Sequence, residues 1–522
     1  MDLTPPTSPQ HGKSDLVLFK PKQLRRFYEP VVLFKALNDI SRTLGRIRLP
    51  DRSPTPETDE EKFQLFLDKL ALVCDREKRG STVTAVAVLD QEEDVLTYVF
   101  ACNQISTSGL EKTTNFVLEL LKKVEGFNNL EPAEKIGVRE DIRNLILAFN
   151  RPRVECYMRS VLQELENCIQ SCNHIEYDDI SQIERSLKEL HRSIGDGVGK
   201  KTIEAEYLHS SLRCLRGIND FRKAPMINFI DERATEGRLP DHRTMFCWAE
   251  LRHNLTRLLA YEKTVEIFVT TEAKWPELFQ EIEVKAVISS RPDINPLGKK
   301  SEDAQSIIGR MSSDIRTIQK YRGLSLNLEA EPYQLNDRIA EQCQKRRFKP
   351  IVHCEVLLLN WILVKYTEPI FFQKWRYIGT SKGPCKLCYY YFEAHPSPIK
   401  VRPAHGNVYT SWRFPDLTSA QGDLGMRGRQ TIFNSMIDAI RNDAFSILEE
   451  KSPIGKSHDS NTYTFVSHPE SDCEVEAGGS ESSEIEELVE QFDAGLGFTN
   501  TLKTDGHVMP SSDDEEGGTS LV

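Results

Sequence analysis

The stretch from His353 to Cys388 constrains this chain more than any other. It reads His353-Cys354-Glu355, an apolar helical run, a strand-like run, then Pro384-Cys385-Lys386-Leu387-Cys388. Cys385 and Cys388 stand three apart, so with Pro384 in the first turn of a helix both sulfurs project from one face. His353 stands where strand-like Phe348, Ile351 and Val352 give way to the helical pattern of Val356 to Tyr366, so its ring can point out of a helix N-terminus. One imidazole and two thiolates leave the fourth position of a tetrahedral metal open, which is the catalytic rather than the structural zinc pattern. Glu355 is placed to handle the proton of a water polarised by that metal. The residues themselves thus predict zinc as cofactor, His353, Cys385 and Cys388 as ligands, and Glu355 as the catalytic carboxylate of a hydrolytic reaction.

The order H-x-E followed by P-C-x-x-C resembles the signature of the zinc-dependent nucleobase deaminases, the cytidine deaminase-like superfamily. The 28 residues between Glu355 and Pro384 leave room for one helix and one strand. Upstream, Ser81 to Asp90 and Val95 to Asn103 are rich in β-branched and aromatic residues around a polar turn, which reads as a hairpin. The resemblance implies that this hairpin is the first part of the same domain and that Asn103, at its end, contacts substrate. It also implies a three-layer α/β/α fold with a mixed sheet. Ile399 to Arg402 and Val408 to Phe414 flank a short turn, which predicts an antiparallel terminal hairpin. The run His405 to Pro415 (H-G-x-x-Y-x-x-W-x-F-P) resembles a fungal-expanded branch of toxin-like deaminases, and His405 and Trp412 are read as substrate-binding residues against which a base can stack.

The two halves of such a domain are far apart, with 249 residues between Asn103 and His353. The expected organisation is a disordered N-terminus (1–14), N-terminal helices with the first half of the deaminase domain (15–105), a mostly helical insertion (106–344), the second half with a final helix (345–450), and a disordered acidic tail (451–522). Within the insertion, helical patterns are expected near 109–125, 154–171, 179–194, 203–222 and 244–262, with a mixed segment at Val265 to Thr270. Cys168 and Cys172, one helical turn apart, read as core residues, as does Cys354.

Charge is uneven along the chain. From His458 to Val522 there are sixteen acidic residues and one lysine, whereas Lys345 to Arg413 carries twelve Lys or Arg against three Glu. A local basic field suits a phosphate-bearing substrate, and the acidic tail, like the helical insertion, is a candidate surface for a protein partner. Twelve irregularly spaced cysteines suit reduced thiols and metal ligands rather than a disulfide framework. No apolar run reaches the ~20 residues of a membrane helix, so the expectation is an intracellular protein, cytoplasmic or nuclear, with a nucleotide or nucleic-acid substrate and no membrane. The rival expectation is a catalytically inactive deaminase-fold scaffold with a structural zinc and a partner-binding insertion.

Overall fold

The computed structural model describes residues 15–43, 56–92, 95–195, 203–223, 226–236, 246–298, 302–344 and 348–450. The expected disordered ends, 1–14 and 451–522, lie outside the described residues. The core element is a mixed five-stranded sheet in the order β3-β2-β1-β4-β5. β1 (Thr84–Glu92) and β2 (Val95–Cys102) form the expected antiparallel hairpin, with Thr84 opposite Cys102 and Val88 opposite Tyr98. β4 (Tyr377–Thr380) joins β1 antiparallel. β3 (Ile282–Val287) lies parallel to β2 along the other edge, so the stretch between Asn103 and His353 adds a strand to this sheet as well as helices.

Both faces of the sheet are covered, and the period of two along β1 shows how. Ala85, Ala87 and Leu89 face a core shared with α1 (Pro21–Thr43), α13 (Cys354–Lys365) and the final helix α15 (Gly422–Glu450). The intervening Val86 and Val88 are equally buried but belong to the opposite face. α2 (Asp59–Cys74) packs on β1 and β4. It comes so close that a Cβ on Gly379 would stand 2.5 Å from the Leu67 side chain, so this strand position must be glycine.

Helices make up most of the remaining described residues before His353. α3 (Thr107–Val124), α5 (Arg151–Ser171), α6 (Ile180–Gly195), α7 (Glu204–Lys223) and α9 (Phe246–Lys274) fall where periodicity placed them, and Cys168 and Cys172 are buried. α4 (Pro132–Phe149) and α8 (Met226–Glu236) were not expected. Val265 to Thr270 belongs to α9, not to a mixed segment. α10 (Ala304–Met311), α11 (Ile315–Leu326) and α12 (Leu335–Gln344) lead back to the sheet. Among the described residues no helix is long and apolar enough to cross a membrane.

The antiparallel terminal hairpin is corrected by the structure. β5 (Lys400–Val401) runs parallel to β4, reached through the crossover helix α14 (Lys386–Ala394). The chain leaves β5 at Pro403, which has no N–H to give a ladder, and its next polar groups bond to the loop before α14: His405 N–H donates to Pro384 O at 3.2 Å and Lys386 N–H to Asn407 O at 2.8 Å. Residues 408–414 therefore form no strand beside β5, and their one bridge, Trp412 with Ile351, is parallel.

Candidate metal centre

Two helix N-termini meet at the centre of the predicted motif. His353 is the N-cap of α13, in extended conformation (φ −67°, ψ 150°), and its side chain makes no cap hydrogen bond. The ring is thereby left to other work. The N–H of Cys354, one of the groups a helix start leaves unsatisfied, instead donates to Asn103 Oδ1 at 2.8 Å. At the second helix, Cys385 is the N-cap of α14 and its Sγ accepts the Cys388 N–H at 3.4 Å. Pro384 precedes the cap rather than entering the first turn as expected, yet both sulfurs still share a face. The loop is pressed against its neighbour, since a Cβ on Gly383 would meet Pro403 O at 2.8 Å.

The result is a triangle of soft donors. His353 Nδ1 lies 3.6 Å from Cys385 Sγ and 3.4 Å from Cys388 Sγ, and the two sulfurs are 3.5 Å apart. Among the described residues this is the one group of three or more His, Cys, Asp or Glu placed to hold a metal ion. The donor set fits zinc: tetrahedral bonds of ~2.3 Å to sulfur and ~2.0 Å to nitrogen span edges of about 3.8 Å between sulfurs and about 3.5 Å between sulfur and nitrogen. Only a few tenths of an ångström separate those edges from the ones observed.

Burial and mutual contact set the electrostatics. Burial alone opposes the Cys385 thiolate, but the hydrogen bonds from Cys388 and the His353 imidazole override it and hold this thiol well below the usual range. Burial pushes Cys388 well up, with the neighbouring Cys385 adding to the effect. For His353, burial favours the neutral ring, yet Cys385 and Glu355 together raise its affinity for a proton. Glu355, in the first turn of α13 and only 4% exposed, is raised chiefly by burial and partly restrained by His353. Its Oε2 accepts the Cys354 thiol at 3.3 Å, so Cys354 is a donor to the carboxylate as well as the packing residue expected.

The residues read as substrate-binding fall in three different settings. Asn103 is tied at both ends of its amide, accepting from Cys354 N–H and donating from Nδ2 to Gly80 O at 3.0 Å. His405 lies half-buried, Nδ1 accepting from Asn407 N–H, its ring edge-on to Tyr409 at 5.7 Å. Tyr409 in turn sits 6.3 Å from the His353 ring, a neighbour that sequence reasoning passed over although it stands in the H-G-x-x-Y run. Trp412 is fully buried, packed against Phe27, Tyr391 and Phe414.

Residues 352–416 match the family model described as OTT_1508_deam:-like deaminase. The match covers 65 of the 522 residues and contains His353, Glu355, Cys385, Cys388, His405 and Trp412, but not Asn103. Together with the donor triangle inside it, it supports a deaminase-like family for this part of the chain. No curated protein and no solved structure matches.

Proposed function

We propose that this chain is a zinc-dependent hydrolytic deaminase acting on a nucleobase, within a nucleotide or a nucleic acid. The observation that carries the reading is the buried His353–Cys385–Cys388 triangle, with Glu355 two residues beyond the histidine, inside the segment that matches a deaminase family. Zinc held by these three residues would supply Lewis acidity to a water molecule, lowering its pKa to roughly 7. Glu355 takes a proton from the attacking water and delivers it to the departing amine, a role suited to a carboxyl that burial has brought towards neutrality. In this reading His405 contributes to substrate binding, a role supported by its contact with Tyr409, which neighbours the His353 ring. Asn103 and Trp412 contribute through position: Asn103 caps the helix that carries Glu355, and Trp412 backs Tyr391 on the helix that carries Cys388. The residues between Asn103 and His353 act as an insertion that shapes the approach to the site, within a cytidine deaminase-like domain assembled from both sides of it.

The test is mass spectrometry of nucleosides, nucleotides and nucleic acid incubated with wild-type and Glu355→Gln protein, alongside elemental analysis. We expect close to one zinc per chain in both, none in Cys385→Ser, and a loss of deamination in Glu355→Gln of ~10²-fold or more. Undiminished deamination by Glu355→Gln would remove the catalytic role. Zinc without deamination of any base in the wild type would leave the scaffold reading standing.

A further inference from the structure

His353 reaches the metal centre from a backbone that is held on both sides, and the holding groups come from upstream of the segment that matches the deaminase family. On one side, Cys354 N–H donates to Asn103 Oδ1 at 2.8 Å. On the other stands Val352, whose N–H donates to Ser290 Oγ at 2.8 Å, while Ser290 Oγ donates in return to Val352 O at 3.3 Å. A single hydroxyl, acceptor and donor at once, thus serves both backbone groups of one residue. Val352 is 1% exposed, and neither group has another hydrogen-bond partner among the described residues. A buried backbone group without a partner is costly, so Ser290 and Val352 are held together.

The register of the sheet brings Ser290 to this place. β3 runs parallel to β2 with Val287 level with Ala101. Three residues further along both chains, Ser290 comes level with Gln104, and Gln104 Nε2 donates to Ser290 O. Ser289 ties the same two chain ends together, its Oγ donating to Cys102 O at 2.9 Å and accepting Ile105 N–H at 3.2 Å. The chain then passes the residues before His353 in the opposite direction, and Asp293 N–H donates to Pro350 O at 2.8 Å. Ser290 is therefore fixed from the β2 side through its carbonyl, and it hands that position on to Val352 through its hydroxyl.

We propose that Ser290 is a positioning residue of the metal centre, and that residues 289–293 act as a buckle that sets the direction from which the His353 ring meets Cys385 and Cys388. The inference rests on the reading of the triangle as a zinc site. His353 makes no cap hydrogen bond with its own side chain, so once Val352 and Cys354 are fixed, only the side-chain torsions remain to aim Nδ1. A ligand atom has to be held to within about 0.5 Å of its productive place, and releasing Val352 moves the point from which the ring starts. Cys385 needs no such support from upstream, because its Sγ caps its own helix. The stretch between Asn103 and His353 is then a working part of the metal centre: through β3 it supplies one of the two hydrogen-bonded supports of the histidine.

The test reads metal binding and not deamination. Zinc affinity of the full-length protein is measured by competition with a chromophoric chelator, and the cobalt(II)-substituted protein is followed by its visible absorption, in wild type, Ser290→Ala, Ser290→Thr and Ser171→Ala. Ser171→Ala is the control for a purely structural loss, since it removes a hydrogen bond of similar kind, Trp248 Nε1 to Ser171 Oγ at 3.0 Å, between α5 and α9. Ser290→Ala is expected to bind zinc ~10–100-fold more weakly and to change the cobalt spectrum. Ser290→Thr, which keeps the hydroxyl, should restore both, and Ser171→Ala should lower Tm while leaving both as in wild type. Gln104→Ala, which frees Ser290 O at a half-buried position, should weaken zinc binding in the same direction and by less, and it decides the matter if Ser290→Ala does not fold. Ser290→Ala with the zinc affinity and cobalt spectrum of wild type overturns the proposal, as does unchanged affinity in Gln104→Ala where Ser290→Ala does not fold. A wild type that binds no zinc overturns the metal centre itself, so the two failures are told apart.

Discussion

Two buried polar clusters share one loop, and they gather opposite kinds of group. Ser381 and Lys382 look towards Asp75, whereas Cys385, three residues on, belongs to the donor triangle with His353 and Cys388. The triangle gathers electron-pair donors around a place suited to a cation. The second cluster gathers the guanidiniums of Arg153 and Arg257 around the Tyr157 hydroxyl, with Arg153 also on Asp75. In the first, two sulfurs and a ring nitrogen within about 3.6 Å of one another suffice, because soft donors tolerate mutual contact. In the second, fixed guanidinium charges cannot neutralise one another, so the relief falls on Tyr157 and Lys69. The difference teaches that burial by itself says little about polar function; the kind of group that is buried together says more.

The largest effect expected of breaking this contrast is at Asp75, the carboxylate that keeps the basic cluster in place. Asp75→Asn leaves Arg153 buried without its partner and should cost about 3–5 kcal/mol, read as a lower urea midpoint at unchanged slope. Next comes the pH dependence. Lys69 folded is held near 7 but unfolded titrates near 10.5, so between those values the unfolded chain binds the extra proton and stability rises with pH. Tyr157, lowered to about 8, adds a rise of the same sign above that value. Urea unfolding at pH 6.5, 8 and 9.5 should show the rise, and Lys69→Met should flatten its lower part while being more stable than wild type at pH 6.5. An unchanged profile would mean that Lys69 keeps its charge. The smallest effect belongs to the triangle's side: Asn103→Ala removes the acceptor for Cys354 N–H and should cost about 1 kcal/mol in calorimetry. Because that acceptor positions Glu355, the variant should lose more activity than its modest loss of stability accounts for.

How much of this was legible beforehand follows from how local each feature is. The triangle and Glu355 could be read because these four residues lie within 36 positions, at helix starts that the sequence marks. The β1–β2 hairpin was legible from its β-branched runs. β3 was not, since Ile282 to Val287 alternates charge with aliphatics and is an edge strand with little burial. Val265 to Thr270 has strand composition but sits in a 29-residue helix, where packing overrides propensity. The parallel seat of β5 depends on where His405 and Asn407 find partners, which no pattern within residues 399–414 encodes. The basic cluster was invisible for the same reason: Lys69, Arg153, Arg257, Lys382 and Arg402 are scattered over more than 330 positions, and Lys69 stands among apolar residues of a helix with nothing to distinguish it.

The parallel pairing of β3 with β2 also bears on how the chain is made. β2 ends at Cys102 and its neighbour begins at Ile282, so on a ribosome adding ~5–20 residues per second the hairpin waits roughly ten to forty seconds for that edge to be covered. The β1 edge waits longer still, until β4 arrives at Tyr377. Throughout that interval the hairpin keeps both edges open to pairing with other strands, so the order of synthesis sets how long it is open to edge-to-edge association.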